Sequence, residues 1–272
     1  GISGLYLANL INNNPDLDYK IFEKRDHFNL TEGYGIQLSV NSIKLLNNIG
    51  FKKITASDIN YPSKVNFFNS ENSKKICDID LTIFNDNLNR YTTLKRSTLL
   101  KFLSQNIPQN KIKLKSEIND IIDGDKIELI FSDNQKENFD YLVFADGIFS
   151  KTKSIIFNDF SPPKYNHSIA LRGNFNGEHG KDVSIYMGSN YHYVVYPVDQ
   201  NNNYNFVAII KKKLDNKDLS KRDLFFSEDF INSLKSDLKK TSSINFNDLT
   251  GLKAFPVYIS DSFPNITKKN IF

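Results

Sequence analysis

The first residues of the sequence have the types and spacing of a phosphate-binding loop. In Gly1-Ile2-Ser3-Gly4-Leu5 the two glycines stand three positions apart, like the last two glycines of a G-x-G-x-x-G fingerprint. Glycine lets the backbone approach a pyrophosphate, and the N-terminus of a following helix offers unpaired N–H groups and the positive end of its dipole. The predicted chemistry is binding of a dinucleotide.

A helix and a short strand must position this loop. Apolar residues predict a helix from Leu5 that stops at residues 12–15, and residues 18–22 read as a strand that ends in Glu23. A carboxylate there can accept hydrogen bonds from ribose hydroxyls. The alternative is a glycine-capped helix followed by an ordinary strand with a solvated glutamate. Since a strand normally precedes such a loop, we expect the sequence to be a fragment.

Composition indicates a globular protein with one large domain or two modest ones. The sequence has 272 residues, of which 39% are hydrophobic, and a net charge of +4. It shows no arginine stripe with interleaved aromatics, so we expect no nucleic-acid partner. Cys77 is the only cysteine, which excludes an intrachain disulfide and fits the cytoplasm. The histidines lack metal-ligand spacing, so we expect no metal, and no apolar run approaches the length of a membrane span.

Periodicity predicts an α/β chain with an inserted hairpin and a β-rich later part. The predicted helices are residues 42–49, closed by Gly50, then 96–103 and 227–240. The predicted strands include a hairpin at 64–79, an extended segment at 91–94, three pieces within 112–130, a buried strand from 139 to 144 that enters an Asp-Gly turn, and several strands within 168–210. This order suggests a nucleotide-binding domain with a second domain inserted twice.

Five segments follow one another over nearly the whole chain: 1–5 (like the tail of G-A-G-I-S-G-L), 23–24 (an acidic-basic pair), 33–41 (like G-x-G-I-x-L-x-P-N), 94–99 (like an R-x-x-L helix start) and 140–150 (like D-x-x-V-G-A-D-G-x-x-S). In this order they resemble the motifs of the flavoprotein monooxygenases that hydroxylate aromatic rings, the family of para-hydroxybenzoate and salicylate hydroxylases. The sequence departs from the family at Val40 (usually proline), Phe144 (usually glycine) and Lys153 (often arginine). The family's G-D-A-x-H motif is absent and would be expected just past Phe272, so we expect the fragment itself to bind FAD poorly.

The resemblance implies residues that contact FAD. Glu23 would hold the adenosine ribose, Arg96 the phosphate and ribityl oxygens, Ile118 the adenine through its backbone, and Asp146 would orient its loop. The full set of implied cofactor-binding residues is Gly1, Ser3, Gly4, Glu23, Lys24, Gly35, Arg96, Ile118 and Asp146. The alternatives stay open: Arg96 as a solvated residue, Asp146 as part of a plain turn, and Ile118 as core.

The resemblance also implies a reaction. NADPH or NADH reduces the flavin, dioxygen reacts with it, and one oxygen atom enters a small aromatic, phenolic substrate. No catalytic side chain is assigned. Arg172 and Tyr196 are candidates for the substrate pocket, although aromatic strands such as that of Tyr196 are more often core.

Other functions fit the same residues. One is a ring hydroxylase of ubiquinone biosynthesis, with a lipid-like substrate and peripheral membrane contact. Another is a flavin-dependent reductase of isoprenoid chains on the same scaffold, whereas the absence of tryptophan argues against a halogenase. A non-enzyme alternative is a binding protein with the dinucleotide fold.

The expected fold is α/β, with a Rossmann-like FAD-binding domain and an interleaved β-sheet substrate domain, incomplete at both ends. The FAD-binding domain is predicted at residues 1–57 and 90–158, with a return at 259–272. The substrate domain is predicted at residues 58–89 and 159–258.

Overall fold

The computed structural model describes residues 1–28, 30, 34–157, 161–238, 244–260 and 267–272. The helices are α1 (Ile2–Ile11), α2 (Val40–Asn47), α3 (Arg96–Gln105), α4 (Thr152–Ile156), α5 (Asn216–Ser220) and α6 (Glu228–Leu238). The strands are β1 (Ile21–Phe22), β2 (Gly35–Leu38), β3 (Ile59–Asn60), β4 (Lys64–Asn69), β5 (Lys75–Asp80), β6 (Thr92–Lys95), β7 (Ile112–Lys113), β8 (Ile118–Asp123), β9 (Ile127–Phe131), β10 (Lys136–Phe139), β11 (Lys164–Asn176), β12 (Val183–Met187), β13 (Tyr191–Pro197), β14 (Asn203–Lys211) and β15 (Thr250–Ile259).

The chain divides into two compact units. Unit 1 comprises Gly1–Leu30, Leu100–Lys164 and Tyr258–Phe272, and unit 2 comprises Thr31–Leu99 and Tyr165–Val257. The predicted domains differ from these units mainly at residues 31–57 and 90–99, which lie in unit 2 but are assigned by sequence to the FAD-binding domain, and at residues 159–164. The assignment of domains by function stays a prediction.

Unit 1 is built from short sheets held together by aromatic rings. β1 pairs in parallel with β7, and β8, β9 and β10 form an antiparallel meander. Along β9, Ile127, Leu129 and Phe131 are buried, because successive side chains of a strand point to opposite faces. The ring of Phe22 lies 4.9 Å from that of Phe131 and 5.7 Å from that of Phe139, centroid to centroid. These ring contacts join β1 to the meander.

Helix α1 begins after Gly1, which is its N-cap, and buries Leu5 and Ala8. Asn9 is also buried, and its Nδ2 donates hydrogen bonds to the carbonyl oxygens of Leu5, at 2.8 Å, and Leu103, at 2.7 Å. A buried amide therefore ties α1 to a residue of α3, and both of its donor positions are satisfied.

The segment 139–144 differs from the continuous buried strand that its sequence predicts. Tyr141 and Val143 are 64% and 46% exposed, whereas Leu142 and Phe144 are partly buried and Leu142 forms a parallel bridge. The prediction of burial along the whole run is wrong. A run of apolar residues predicts burial on both faces of a strand, but among the described residues other elements cover mainly the face of Leu142 and Phe144.

Unit 2 contains a small sheet of order β2–β6–β3 and, among the described residues, a seven-stranded sheet of order β15–β11–β14–β13–β12–β4–β5, called here the large sheet. The hairpin of β4 and β5 joins the large sheet through parallel pairing of β4 with β12. This confirms the prediction that the hairpin and the strand-rich segment 168–210 belong to one sheet.

The two faces of the large sheet have different surroundings. One face carries Tyr193 and Phe206, which are fully buried in the same core as Leu234 and Leu238 of α6. The opposite face, called here the second face, carries the residues that alternate with them along the strands. The second face includes Arg172, Ile185, His192, Val194, Tyr196, Val207 and Ile209.

Gly35 brings β2 of the small sheet against strands of the large sheet. A Cβ at this position would lie 2.6 Å from Cβ of Asn205, 2.7 Å from Cγ1 of Val198 and 2.8 Å from Cε2 of Tyr196. Its N–H donates to Oδ1 of Asn205 at 2.6 Å. No larger residue fits without displacing these neighbours.

We therefore predict that Gly35→Ala lowers the free energy of unfolding by about 1–3 kcal/mol, the typical cost of overpacking a core. Urea denaturation followed by circular dichroism measures it. Gly124→Ala is the matched control, because a Cβ there would meet nothing closer than 3.5 Å. Equal denaturation midpoints for the two variants would contradict the prediction.

Candidate functional site

In unit 1 the glycines at the start of α1 lie against the segment before the Asp-Gly turn. A Cβ on Gly4 would lie 3.3 Å from Cβ of Ala145. A Cβ on Gly1 would lie 3.9 Å from the carbonyl oxygen of Ala145. Gly4 thus permits close helix packing at this point. Ser3 is exposed on the first turn of α1. The N-terminus of α1 is a place where N–H groups and the helix dipole favour an anion.

Glu23 follows β1 directly and its carboxylate lies near this helix start. Its N–H donates to the carbonyl of Lys113 at 2.9 Å, which extends the pairing of β1 with β7. Its Oε1 accepts from the backbone N–H of Arg25 at 3.1 Å, and its Oε2 lies 3.9 Å from the nitrogen of Gly1. Lys24 is exposed. Unit 1 therefore brings Gly1, Gly4 and Glu23 together, as the spacing predicts for a nucleotide site.

The Asp-Gly turn is held by hydroxyl groups that follow it. Oδ2 of Asp146 accepts hydrogen bonds from Oγ of Ser150 and Oγ1 of Thr152, each at 2.6 Å. Gly147 has a φ of +85°, a left-handed conformation that favours glycine. Oγ of Ser150 also accepts from the N–H of Lys153 at 3.1 Å, at the start of α4. Asp146 therefore fixes the local turn through its own hydrogen bonds, and a contact with a cofactor stays a prediction.

The side chain of Ile118 lies at the hydrophobic core of unit 1. It begins β8, opposite Phe131 of β9, and its side chain packs against the core of unit 1. The structure gives its side chain a core role, and the predicted backbone contact with adenine stays a prediction.

Arg96 and Gly35 lie in unit 2, at the same end of the β2–β6 pairing, where Gly35 pairs with Lys95. Arg96 begins α3 directly after β6, and its N–H donates to the carbonyl oxygen of Tyr34 at 2.8 Å. Its half-buried guanidinium makes no ion pair or hydrogen bond with any described residue. Gly35 allows close packing, because a Cβ there would collide with Asn205, Val198 and Tyr196. Gly33, in the matched segment 33–41, lies outside the described residues.

Arg172 and Tyr196, the two candidates for the substrate pocket, lie near each other on the second face. The guanidinium carbon of Arg172 is 5.9 Å from the ring centroid of Tyr34. Tyr196 is 3% exposed and takes part in a hydrogen bond with the side chain of Gln37. Gln37 also accepts from the hydroxyl of Tyr91 at 2.7 Å. The side chains of Arg172, Gln37, Tyr91 and Tyr196 thus form one polar cluster at the second face of the large sheet.

Sequence analysis alone did not identify Gln37 and Tyr91 as members of this cluster. Gln37 stands at a variable position of the matched segment 33–41, and Tyr91 begins a segment that is merely extended. Alternation along β2 could have placed Gln37 on the same face as Gly35, but only the packing of the two sheets brings both side chains to Tyr196.

Burial raises the pKa of the Tyr196 phenol well above its usual value near 10, and the nearby Arg172 cation and the Gln37 hydrogen bond offset this only in part. Burial also lowers the pKa of His192 below its usual value. Both side chains are therefore neutral near pH 7, and the cation on this part of the second face is Arg172.

No protein-family model matches the chain. The chain is 25% identical over 130 residues to the FAD-dependent monooxygenase pigN of Monascus ruber, a match that covers 42% of this chain and 30% of that protein. The chain thus spans about a third of the length of this curated relative.

Solved structures match the whole chain. HpxO of Klebsiella pneumoniae, complexed with FAD and uric acid, matches with a TM-score of 0.77 and 14% identity over 69% of its length. The 2,6-dihydroxypyridine-3-hydroxylase of Arthrobacter nicotinovorans matches with a TM-score of 0.82 and 12% identity over 73% of its length. A salicylate hydroxylase bound to its substrate matches with a TM-score of 0.74 and 15% identity over 69% of its length. The chain has the fold of these flavin-dependent aromatic hydroxylases, as the sequence predicts.

Among the described residues, no helix is long and apolar enough to cross a membrane.

The raised pKa of Tyr196 predicts how stability depends on pH. The folded state keeps this phenol protonated above pH 10, where the unfolded chain ionises, so its contribution to stability is complete below pH 10 and declines as pH rises from the unfolded value near 10 towards the higher folded value. Between pH 10 and 11 the unfolding free energy of the wild type should fall faster than that of Tyr196→Phe, by roughly 1 kcal/mol per pH unit.

Urea denaturation at pH 9, 10 and 11 tests this prediction. Tyr141→Phe is the control, because Tyr141 is 64% exposed and its removal should leave the slope with pH unchanged. Parallel slopes for wild type and Tyr196→Phe would show that the buried phenol does not resist ionisation.

Proposed function

We propose that the intact protein is an FAD-dependent monooxygenase that uses NADPH or NADH and dioxygen to hydroxylate a phenolic substrate. The observation that supports it most directly is the placement of the Glu23 carboxylate beside the N-terminus of α1, with Oε2 3.9 Å from Gly1, on a fold shared with proteins solved with FAD.

The residues of unit 1 fit the adenosine and pyrophosphate parts of FAD. The N-terminus of α1 would take the pyrophosphate at Gly1, Ser3 and Gly4, and Glu23 would take the ribose hydroxyls, with Lys24 nearby. Gly4 supports this role because its missing side chain allows close packing on Ala145. Asp146 would keep its loop in place, and Ile118 would offer backbone groups to adenine.

Arg96 and Gly35 are the further residues that we propose for the cofactor. Arg96 would contact phosphate or ribityl oxygens, which a guanidinium does well through paired N–H donors. Its lack of a partner among the described residues supports this role. Gly35 would contribute by bringing the backbone of β2 close to the cofactor. Once reduced by NADPH or NADH, FAD would supply the activation of dioxygen, and the protein would position the substrate and exclude water.

The substrate proposed is a small aromatic ring with an acidic group, held at Arg172. Among the described residues Arg172 makes no ion pair, and its guanidinium lies beside the ring of Tyr34 and near the phenol of Tyr196. Tyr196 would line this end of the pocket. The HpxO and salicylate hydroxylase structures hold uric acid and a substrate of that enzyme, which supports a planar acidic ligand.

The proposed arrangement of domains follows the sequence, with FAD bound by residues 1–57 and 90–158 and substrate by residues 58–89 and 159–258. We place the protein in the cytoplasm, which its single free cysteine, Cys77, supports. A ring hydroxylase of ubiquinone biosynthesis is the second candidate and would need no cation at Arg172, because its phenolic substrate is lipid-like.

We predict that Glu23→Ala weakens FAD binding by the intact protein by roughly 1–3 kcal/mol, because it removes charge-assisted hydrogen bonds to the ribose. Titration of the apoprotein with FAD, followed by flavin fluorescence, measures the affinity. Glu71→Ala is the matched control, since Glu71 is an exposed carboxylate in the β4–β5 turn. Unchanged affinity in Glu23→Ala would remove Glu23 from the site.

The activity itself is tested by oxygen consumption with NADPH or NADH across hydroxybenzoates and a quinone-precursor phenol. We expect at least one phenol to accelerate flavin reduction or oxygen uptake and to gain one oxygen atom from labelled dioxygen, as detected by mass spectrometry. Formation of hydrogen peroxide alone with every compound would indicate an oxidase or a reductase instead.

A further inference from the structure

Lys95 directly precedes Arg96 and forms an ion pair with a buried carboxylate of unit 2. Its Nζ lies 3.1 Å from Oδ2 of Asp199, a residue that follows β13 and is 6% exposed. A carboxylate buried in this way needs partners in the protein, because water no longer solvates it. Among the described residues, no other cation forms an ion pair with Asp199. Lys95 is therefore its counter-charge.

The carboxylate of Asp199 is fixed by the turn between β13 and β14. Its Oδ1 accepts hydrogen bonds from the backbone N–H groups of Asn201, at 2.8 Å, and Asn203, at 3.3 Å. Its Oδ2 accepts from Nδ2 of Asn203 at 2.7 Å. Burial opposes ionisation, but these hydrogen bonds and Lys95 lower the pKa of Asp199 below its usual value. Asp199 is thus an ionised and well-fixed anchor for Lys95.

Two further contacts attach this end of β6 to the large sheet. Thr93 lies two residues before Lys95 on the same face of β6, and its buried Oγ1 donates to the carbonyl oxygen of Pro197 at 2.6 Å. Lys95 also pairs across the small sheet with Gly35, whose N–H donates to Oδ1 of Asn205. The end of β6 therefore has a fixed position relative to β13 and β14.

Arg96 extends from this fixed backbone at the first position of α3. Its N–H donates to the carbonyl oxygen of Tyr34 at 2.8 Å. Its half-buried guanidinium makes no hydrogen bond or ion pair with any described residue. A long side chain loses conformational entropy when it binds an anion, and a backbone that is already fixed keeps that cost to the side chain alone. The contacts of Lys95 thus prepare Arg96 for a ligand.

We propose that the ion pair of Lys95 with Asp199 positions Arg96 for its contact with the cofactor. This inference rests on the proposed function, and it makes Lys95 and Asp199 positioning residues that act without touching FAD. Loss of the pair leaves the buried carboxylate without its cation and loosens the end of β6. Because Lys95 acts through Arg96, its loss affects FAD binding only while Arg96 contributes to that binding.

The test is a double-mutant cycle on the FAD affinity of the intact protein, with Lys95→Met, Arg96→Met and the double variant. Lys95→Arg keeps the cation, and Asp199→Asn removes the charge of its partner. Lys64→Met is the matched control, because it breaks a more exposed Lys–Asp pair of the same unit, with Nζ of Lys64 3.9 Å from Oδ1 of Asp78. Titration of each apoprotein with FAD, followed by flavin fluorescence, gives the dissociation constants.

We expect Arg96→Met to weaken FAD binding at least about tenfold, the effect of losing a charge-assisted hydrogen bond. Lys95→Met and Asp199→Asn should each weaken it about five- to tenfold, because a displaced guanidinium loses most of that contact. In the Arg96→Met background, Lys95→Met should change the affinity by less than about twofold. Lys95→Arg should restore most of the affinity, and Lys64→Met should leave it unchanged.

Circular dichroism verifies the fold of each variant. If Lys95→Met does not fold, Asp199→Asn replaces it in the cycle, because the amide keeps the shape of the carboxylate. A loss that is equally large with and without Arg96 would show a general structural role and overturn the positioning role. Wild-type affinity in both Lys95→Met and Asp199→Asn, or no restoration by Lys95→Arg, would also overturn it.

Distinct outcomes separate this inference from the proposed function. Wild-type affinity in Arg96→Met removes Arg96 from the cofactor site and overturns this inference, while the tests of Glu23 and of oxygen transfer still decide the proposed function. The expected coupling between Lys95 and Arg96, without oxygen transfer to any phenol, supports the positioning role and overturns the proposed monooxygenase activity.

Discussion

Because Gly35 has no side chain, the small sheet of unit 2 can lie directly on the large sheet. Three heavy atoms lie within 2.8 Å of the place a Cβ would occupy, and the N–H of Gly35 reaches Oδ1 of Asn205. This close approach brings Gln37 to the hydroxyl of Tyr196 and Tyr34 to the guanidinium of Arg172. The polar cluster at the edge of the second face therefore depends on one backbone contact.

The second face of the large sheet mixes branched aliphatic side chains with polar ones, among them Asn174, Asn205 and His192. Arg172 and His192 differ in charge, because the guanidinium stays cationic while burial keeps the imidazole neutral.

In unit 1 the corresponding constraint is the approach of α1 to the segment before the Asp-Gly turn. Gly4 lies so close to Ala145 that a Cβ would sit 3.3 Å from it. Pairing of β1 with β7 then places Glu23 beside the start of the helix. Asp146 accepts hydrogen bonds from the hydroxyl groups of Ser150 and Thr152, and these bonds hold its turn.

Sequence reasoning predicts the features that rest on local patterns. The presence of α1, the turn at Asp146 and Gly147 and the β4–β5 hairpin follow from glycine placement and alternation, whereas α1 begins at Ile2, earlier than the predicted Leu5. The burial of Tyr141 and Val143 was predicted wrongly, because burial depends on which neighbouring element covers each face.

The two candidate sites also differ in whether a local sequence pattern predicts them. The grouping of Gly1, Gly4 and Glu23 follows from a motif with fixed spacing. The cluster of Gln37 and Tyr196 could not be predicted, because it joins residues of two sheets that are more than 150 positions apart in the sequence.

The central claim is that α1 and Glu23 form the adenosine end of an FAD site, and a crystal structure of the intact protein with FAD tests it most directly. The predicted result is a pyrophosphate at the N-terminus of α1 and ribose hydroxyls within hydrogen-bonding distance of the Glu23 carboxylate. FAD bound elsewhere, or bound with Glu23 turned to solvent and the helix start unused, would contradict the account.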